Sequence, residues 1–142
     1  MGEQITLRYD HIALDHLRDA VIEEHGIDYG LTRLDFKGQS LYVPLQSLDV
    51  GAPLRIYNLS SDISLVLTPA SAALTTSALS ILEATVVEIR EIDQATVDVQ
   101  LDIGSPLVAS ITKKSLTTLK LAPGQRVCAH LESVALIEAL TE

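Results

Sequence analysis

Several absences narrow the reading at once. The chain of 142 residues has a single cysteine, Cys128, so no intrachain disulfide framework holds the fold. Without a His/Asp motif around it, Cys128 reads as an ordinary strand position rather than a reactive thiol. No apolar run approaches the roughly 20 residues that a membrane helix needs. No basic-then-apolar signal pattern opens the sequence, so a reducing cytoplasm is the expected compartment, with no direct membrane insertion. Positive charge is scarce: 10 Lys and Arg stand against 19 Asp and Glu, a net charge of −9. Nucleic acid and anionic membranes both demand a basic surface, so neither is an expected partner. The same charge opposes small anions unless backbone N–H groups and a few Lys or Arg overcome it.

No Gly-x-x-x-x-Gly-Lys-Ser/Thr loop is present, which excludes P-loop nucleotide hydrolysis by this chain. No nucleophile, base and orienting group fall together, so an enzyme is not expected. His11, His16 and His25 have acidic neighbours, but their spacings fit no metal pattern.

What is present is 47% hydrophobic sequence, enough for a core, broken into short segments of period two. Around Ile12–Val21 the pattern fits either a strand or a helix face. Strands are expected over Tyr29–Leu34, Leu41–Val43, Leu54–Asn58 and Ile63–Leu67, with turns at Lys37-Gly38-Gln39-Ser40 and Gly51-Ala52-Pro53. An uncharged Ala/Thr/Ser-rich connector follows, and then strands at Ala84–Ile92, with Val87 and Ile89 on one face, and Val97–Ile103. In the latter, Val97, Val99, Leu101 and Ile103 alternate with Asp98, Gln100 and Asp102, which read as a wet face.

The stretch Leu107–Ile137 organises the rest. Val108 and Ser110 alternate with Ala109 and Ile111 as a strand. Thr112 sits where an N-cap belongs, with Ser115 three residues on. Leu116 and Leu119, with Leu121 beyond, form an apolar helical face, and Ala122-Pro123-Gly124-Gln125 stops the helix and turns the chain. Val127, Ala129 and Leu131 then alternate with Cys128, His130 and Glu132, which puts His130 outward, at the surface or an interface.

The segments over 31–67 resemble those over 97–137 in order and spacing. The expected fold is all-β: two fused OB-like β-barrel modules with one short helix. The divisions are 1–16, an N-terminal segment; 17–68, a first half; 69–82, a connector; and 83–142, a second module.

Particular motifs carry a family resemblance. They are Thr76-Ser77…Leu82, the hairpin VDVQLDIGSPLVASIT, the K-x-S-L-x-x-L-x-L-x-P-G stretch at Lys113–Gly124, and ESVALI at Glu132–Ile137. In the first half they are VIEEHGIDYGLTRL at Val21–Leu34 and LRIYNLSSDISLVL at Leu54–Leu67. With these the chain resembles the Mop/TOBE domain, as found after the ATPase domain of molybdate ABC importer subunits. Met1–Asp15 looks like the end of the linker leaving such an ATPase domain. The chain is then either that regulatory domain or a stand-alone relative.

The resemblance implies a site for molybdate or tungstate. Such tetrahedral dianions need hydroxyls, amide N–H groups and cations as donors. Carried over position by position, the implied ligands are Ser77, Thr112, Ser115 and Ser133, with Lys113 and Lys114, which flank the helix start, as cations that could compensate for those the motif loses. For Thr112 and Ser115 a plain helix cap and an anion-contacting cap both stand open. Lys113 and Lys114 serve either as solvated charges or as ligands, and Ser77 and Ser133 either as plain hydroxyls or as ligands. Two positions depart from the family: Leu79 stands where an Arg is expected, and Glu132 where a Lys is expected. A dianion near Glu132 would be repelled.

The implied function is a regulatory oxyanion-binding domain of a molybdate-type ABC importer ATPase, sensing cytoplasmic oxyanion. It would work as a homodimer beside the ATPase domain and membrane subunits. The alternatives are a ligand-free structural dimerisation module and a molybdate storage protein.

Overall fold

A computed structural model of the chain describes residues 14–67, 80–131 and 136–139. Residues 1–13 of the N-terminal segment expected over 1–16, and most of the connector expected over 69–82, lie outside these residues, while Leu14 onward belongs to the first strand. Among the described residues ten strands form: β1 (Leu14–Gly26), β2 (Leu31–Phe36), β3 (Gln39–Pro44), β4 (Pro53–Leu59), β5 (Ile63–Val66), β6 (Ser80–Glu91), β7 (Thr96–Asp102), β8 (Pro106–Thr112), β9 (Arg126–Leu131) and β10 (Leu136–Ala139). The α-helix among the described residues, α1 (Lys113–Leu119), follows β8. The fold is thus all-β with one short helix, and the segment around Ile12–Val21 resolves as a strand from Leu14 onward.

Two five-stranded antiparallel sheets result, in the orders β10-β4-β1-β2-β3 and β5-β9-β6-β7-β8. They are the same motif used twice, but each finishes with a strand from the other half. β5 pairs with β9, from Ile63 opposite Leu131 to Val66 opposite Cys128. β10 pairs with β4, from Leu136 opposite Tyr57 to Ala139 opposite Leu54. Each exchanged strand covers an edge of the other half's sheet, so β4 and β9 are paired on both sides. Inward side chains of both sheets, among them Leu34, Phe36, Leu41, Ile56, Leu82, Val99 and Leu107, join in one buried cluster.

The repeat is visible in its hydrogen bonds. Ile22 and Val86 each precede a bulge, and each meets the turn before β4 or β9. Gly51 donates its N–H to Ile22 O (2.7 Å) and Gly124 to Val86 O (2.7 Å). Leu82, Ala84 and Val86 face inward, so Val87 faces outward at 53% exposure, and the extra residue inserted after Val86 shifts the phase so that Ile89 turns back inward. Val87 and Ile89 therefore do not share a buried face as the alternation predicts: only Ile89 packs on the core.

β9 departs from the predicted alternation in the other direction. It lies between β5 and β6, and Val127 through Leu131 are all buried, His130 at 6% exposure. His130 is not a surface residue, because a strand shielded on both faces has no wet side. The same burial pushes the Cys128 thiol up, with the Glu83 carboxylate adding to it, so the nucleophilic thiolate is suppressed.

α1 starts as predicted, with the Ser115 amide donating to Thr112 Oγ1 at 3.0 Å. Its end differs. The helix stops at Lys120, which is left-handed (φ 54°, ψ 48°), and not at Pro123-Gly124. Lys120 N–H reaches Thr117 O and Leu121 N–H reaches Leu116 O, both at 3.2 Å, a Schellman closure. Buried Leu121 then seals the turn. A lysine in this conformation carries a penalty that glycine lacks. Lys120→Gly is accordingly expected to raise stability by about 0.5 kcal/mol, read as a higher midpoint in urea unfolding; a lower midpoint would contradict the strain.

Candidate functional site

The second sheet curls until its two edges, β5 and β8, approach each other. Between them opens a cleft of about 450 Å³, closed at one end by α1. Six hydroxyl side chains line it: Ser61 and Ser64 from the β5 side, and Thr96, Ser110, Thr112 and Ser115 from the other. Ile63, Leu65, Ile111 and Leu119 supply its apolar wall. Because β5 is an exchanged strand, both halves of the chain build this cleft.

Its floor is tied across the seam. Ser60, fully buried, meets Ser110 hydroxyl to hydroxyl at 2.8 Å, and Ser110 donates to Asp98 Oδ1 at 2.6 Å. Asp98 and Ser110 are cross-strand partners, so their side chains share one face. Asp98 is half-buried and engaged, not simply a wet-face residue. At the helix end, Thr112 accepts the Ser115 amide and donates its own proton to Ser115 Oγ at 3.0 Å. The Ser115 hydroxyl proton is not used in that bond, and the residue lines the cleft.

Thr112 and Ser115 are thus brought together in a cavity. Lys113 and Lys114 flank it without lining it, and Lys113 Nζ lies 3.4 Å from Glu91 Oε2. The Lys113 amide is also engaged, donating to Ala95 O at 2.7 Å. That loop is set by Asp93, whose Oδ1 accepts the amides of Ala95 (2.8 Å) and Thr96 (2.9 Å). With the Ser115 amide on Thr112, the helix start offers hydroxyls more than free amides. Ser77, Ser133, Leu79 and Glu132 lie outside the described residues.

Sequence reasoning missed Ser61, Ser64, Thr96, Ser110 and the Ser60–Ser110–Asp98 chain. Pairing Val97–Ile103 against Leu107–Ile111 in register would have placed Thr96 near Thr112 and Asp98 near Ser110. Nothing short of the strand exchange would have brought in Ser61 and Ser64. Among the described residues, no group of His, Cys, Asp and Glu is arranged to hold a metal ion, and no helix is long and apolar enough to cross a membrane.

An all-β exchanged double module with a capped helix beside a hydroxyl-lined seam defines a class. The TOBE domain family matches residues 76–137 of the chain. The relationship extends further. The chain is 36% identical over 120 residues to the molybdenum import ATP-binding protein ModC of Aromatoleum aromaticum, covering 84% of this chain and 31% of that protein. With ModC 1 of Azotobacter vinelandii it shares 38% identity over 122 residues, covering 84% and 33%. The chain therefore spans about a third of the length of these relatives. A solved structure of the cytoplasmic molybdate-binding protein ModG, with molybdate bound, superposes with a TM-score of 0.70 at 18% identity, covering 89% of this chain and 96% of that one. The fold is shared with ModG, and the Mop/TOBE resemblance read from the motifs is borne out.

Proposed function

We propose that this chain is a regulatory oxyanion-binding domain of a molybdate-type ABC importer, taking molybdate or tungstate in the cytoplasm and reporting its level to the transporter. It acts by binding and not as an enzyme, as a homodimer attached to the ATPase and, through it, to the membrane subunits. The observation that carries this reading is the cleft at Thr112 and Ser115. Thr112 and Ser115, two of the residues implied as ligands, line a cavity rich in hydroxyl groups. Such donors hold a tetrahedral dianion by charge-assisted hydrogen bonds, even in a chain of net charge −9.

Titration calorimetry with molybdate, against sulfate as control, tests it. Saturable heat with molybdate alone is expected. Ser115→Ala should weaken binding by about tenfold, the scale of one hydrogen bond to a charged group, while leaving the Thr112 cap in place. Silence at millimolar molybdate would overturn the reading. The structural dimerisation module would then lead, a second reading favoured by Leu79 and Glu132, which replace the two cations the family motif uses.

A further inference from the structure

The cleft floor has a direction that the sequence does not reveal. An ionised carboxylate only accepts, so the 2.6 Å contact fixes the Ser110 proton on Asp98. A hydroxyl has one proton. The 2.8 Å contact between Ser60 and Ser110 must therefore run from Ser60 to Ser110. What Ser110 has left for the cleft is a lone pair. On the α1 side, Ser115 lines the cleft with its proton uncommitted in this pair, because Thr112 supplies the hydrogen bond between those two hydroxyls. The cavity is thus polarised, with a donor end at Ser115 and an acceptor end at Ser110.

A fully deprotonated tetrahedral anion carries acceptors on every corner. It fits the Ser115 end and meets a lone pair at the Ser110 end, with the Asp98 charge directly behind. We infer that Asp98, acting through Ser110, is a positioning residue that holds the cleft's affinity for bare oxyanions down. This rests on the oxyanion reading above and deepens it: the site is tuned to respond at high ligand concentration, and Asp98 does the tuning. Losing the carboxylate acts in two ways. It removes a like charge near the ligand, and it frees the Ser110 proton to turn into the cleft. In Asp98→Asn the amide can present Nδ2 to Ser110 and donate, which reverses the direction of the relay.

The test is a double-mutant cycle read by molybdate titration of the full chain. Asp98→Asn is expected to tighten binding by about tenfold. Ser110→Ala alone should not tighten it as Asp98→Asn does, since it leaves the Asp98 charge in place and gives the ligand no proton. Asp98→Asn combined with Ser110→Ala should lose most of the gain. A merely structural role for Asp98 would not produce that pattern, and a pure charge effect would survive in the double variant; either result overturns the inference. Asp98→Ala repeats the measurement if the asparagine variant does not fold. Binding by the native chain with no gain in either Asp98 variant refutes the inference and leaves the oxyanion reading standing. Silence of every variant refutes both.

Discussion

Replacing Phe36 by alanine is expected to remove about 4 kcal/mol of stability, and to melt both sheets in one transition at the lower temperature. Phe36 is the sole phenylalanine in the chain and is fully buried at the end of β2. Its ring is the largest of the fully buried side chains, and it packs in a cluster that draws residues from both sheets. A cavity of that size cannot be refilled by the short aliphatic side chains around it. The shared transition follows from topology. Each sheet holds one strand from the other half, so neither can unfold while the other keeps its full ladder. Side-chain bonds reinforce the tie between β3 and β6: Tyr42 N–H donates to Ser80 Oγ at 2.9 Å, and Glu83 N–H to Gln39 Oε1 at 2.8 Å. Differential scanning calorimetry of the native chain and Phe36→Ala decides it. Two resolved peaks in either would mean the modules unfold separately, and a loss under about 2 kcal/mol would mean the core collapses around the gap.

Much of this architecture was legible because its strands alternate. Val97, Val99 and Leu101 are buried at every second position, and Thr32, Leu34 and Phe36 likewise. Periodicity of two is a local property, so a sequence displays it. The Thr112 cap was legible for the same reason, since the hydroxyl and the amide it accepts are three residues apart. What stayed hidden is non-local. The Val86 bulge meets a turn at Gly124, across the sheet, and it re-phases the strand so that Ile89, and not Glu88, returns to the core after Val87. His130 is buried because β9 has neighbours on both sides and cover on both faces, neither of which its own hexapeptide encodes.

The site divides along the same line. Thr112 and Ser115 were reached because a family motif marks them. Ser61 and Ser64 were not, because they enter on a strand that sequence order assigns to the other half. Asp98 looked like one of three equivalent outward residues with Gln100 and Asp102. Only the cross-strand register against Ser110 separates it from them. The helix end was misplaced for a related reason: Pro and Gly are strong punctuation, but Leu121 has a buried place to reach, and the chain accepts a left-handed Lys120 to put it there.

Thr32→Val should cost about 2 kcal/mol, although it keeps the size and shape of the side chain. Thr32 is fully buried on the inner face of β2, and its hydroxyl holds the loop that joins β3 to β4. Gln46 donates its amide to Thr32 Oγ1 at 2.8 Å. His25 Nε2 lies 2.8 Å from Leu48 O, and a carbonyl only accepts, so that nitrogen carries the imidazole proton. Nδ1 of the neutral ring is then an acceptor, and the Thr32 hydroxyl donates to it across 2.9 Å. One hydroxyl therefore satisfies an amide and a ring nitrogen at once. Valine fills the same space and leaves both without a partner, and the penalty for stranding groups out of water exceeds the worth of the bonds themselves. Thr32→Ser keeps the hydroxyl and should cost less than half as much. Urea unfolding gives the energies, and amide exchange gives the location. Protection should fall at Gln46 well before it falls at Leu34 or Val99, because the loop can detach while the sheets stay paired. Equal loss at all three amides would show that the hydroxyl supports the core itself rather than the loop, and a valine variant as stable as the native chain would mean that water or a rearranged loop takes over both bonds.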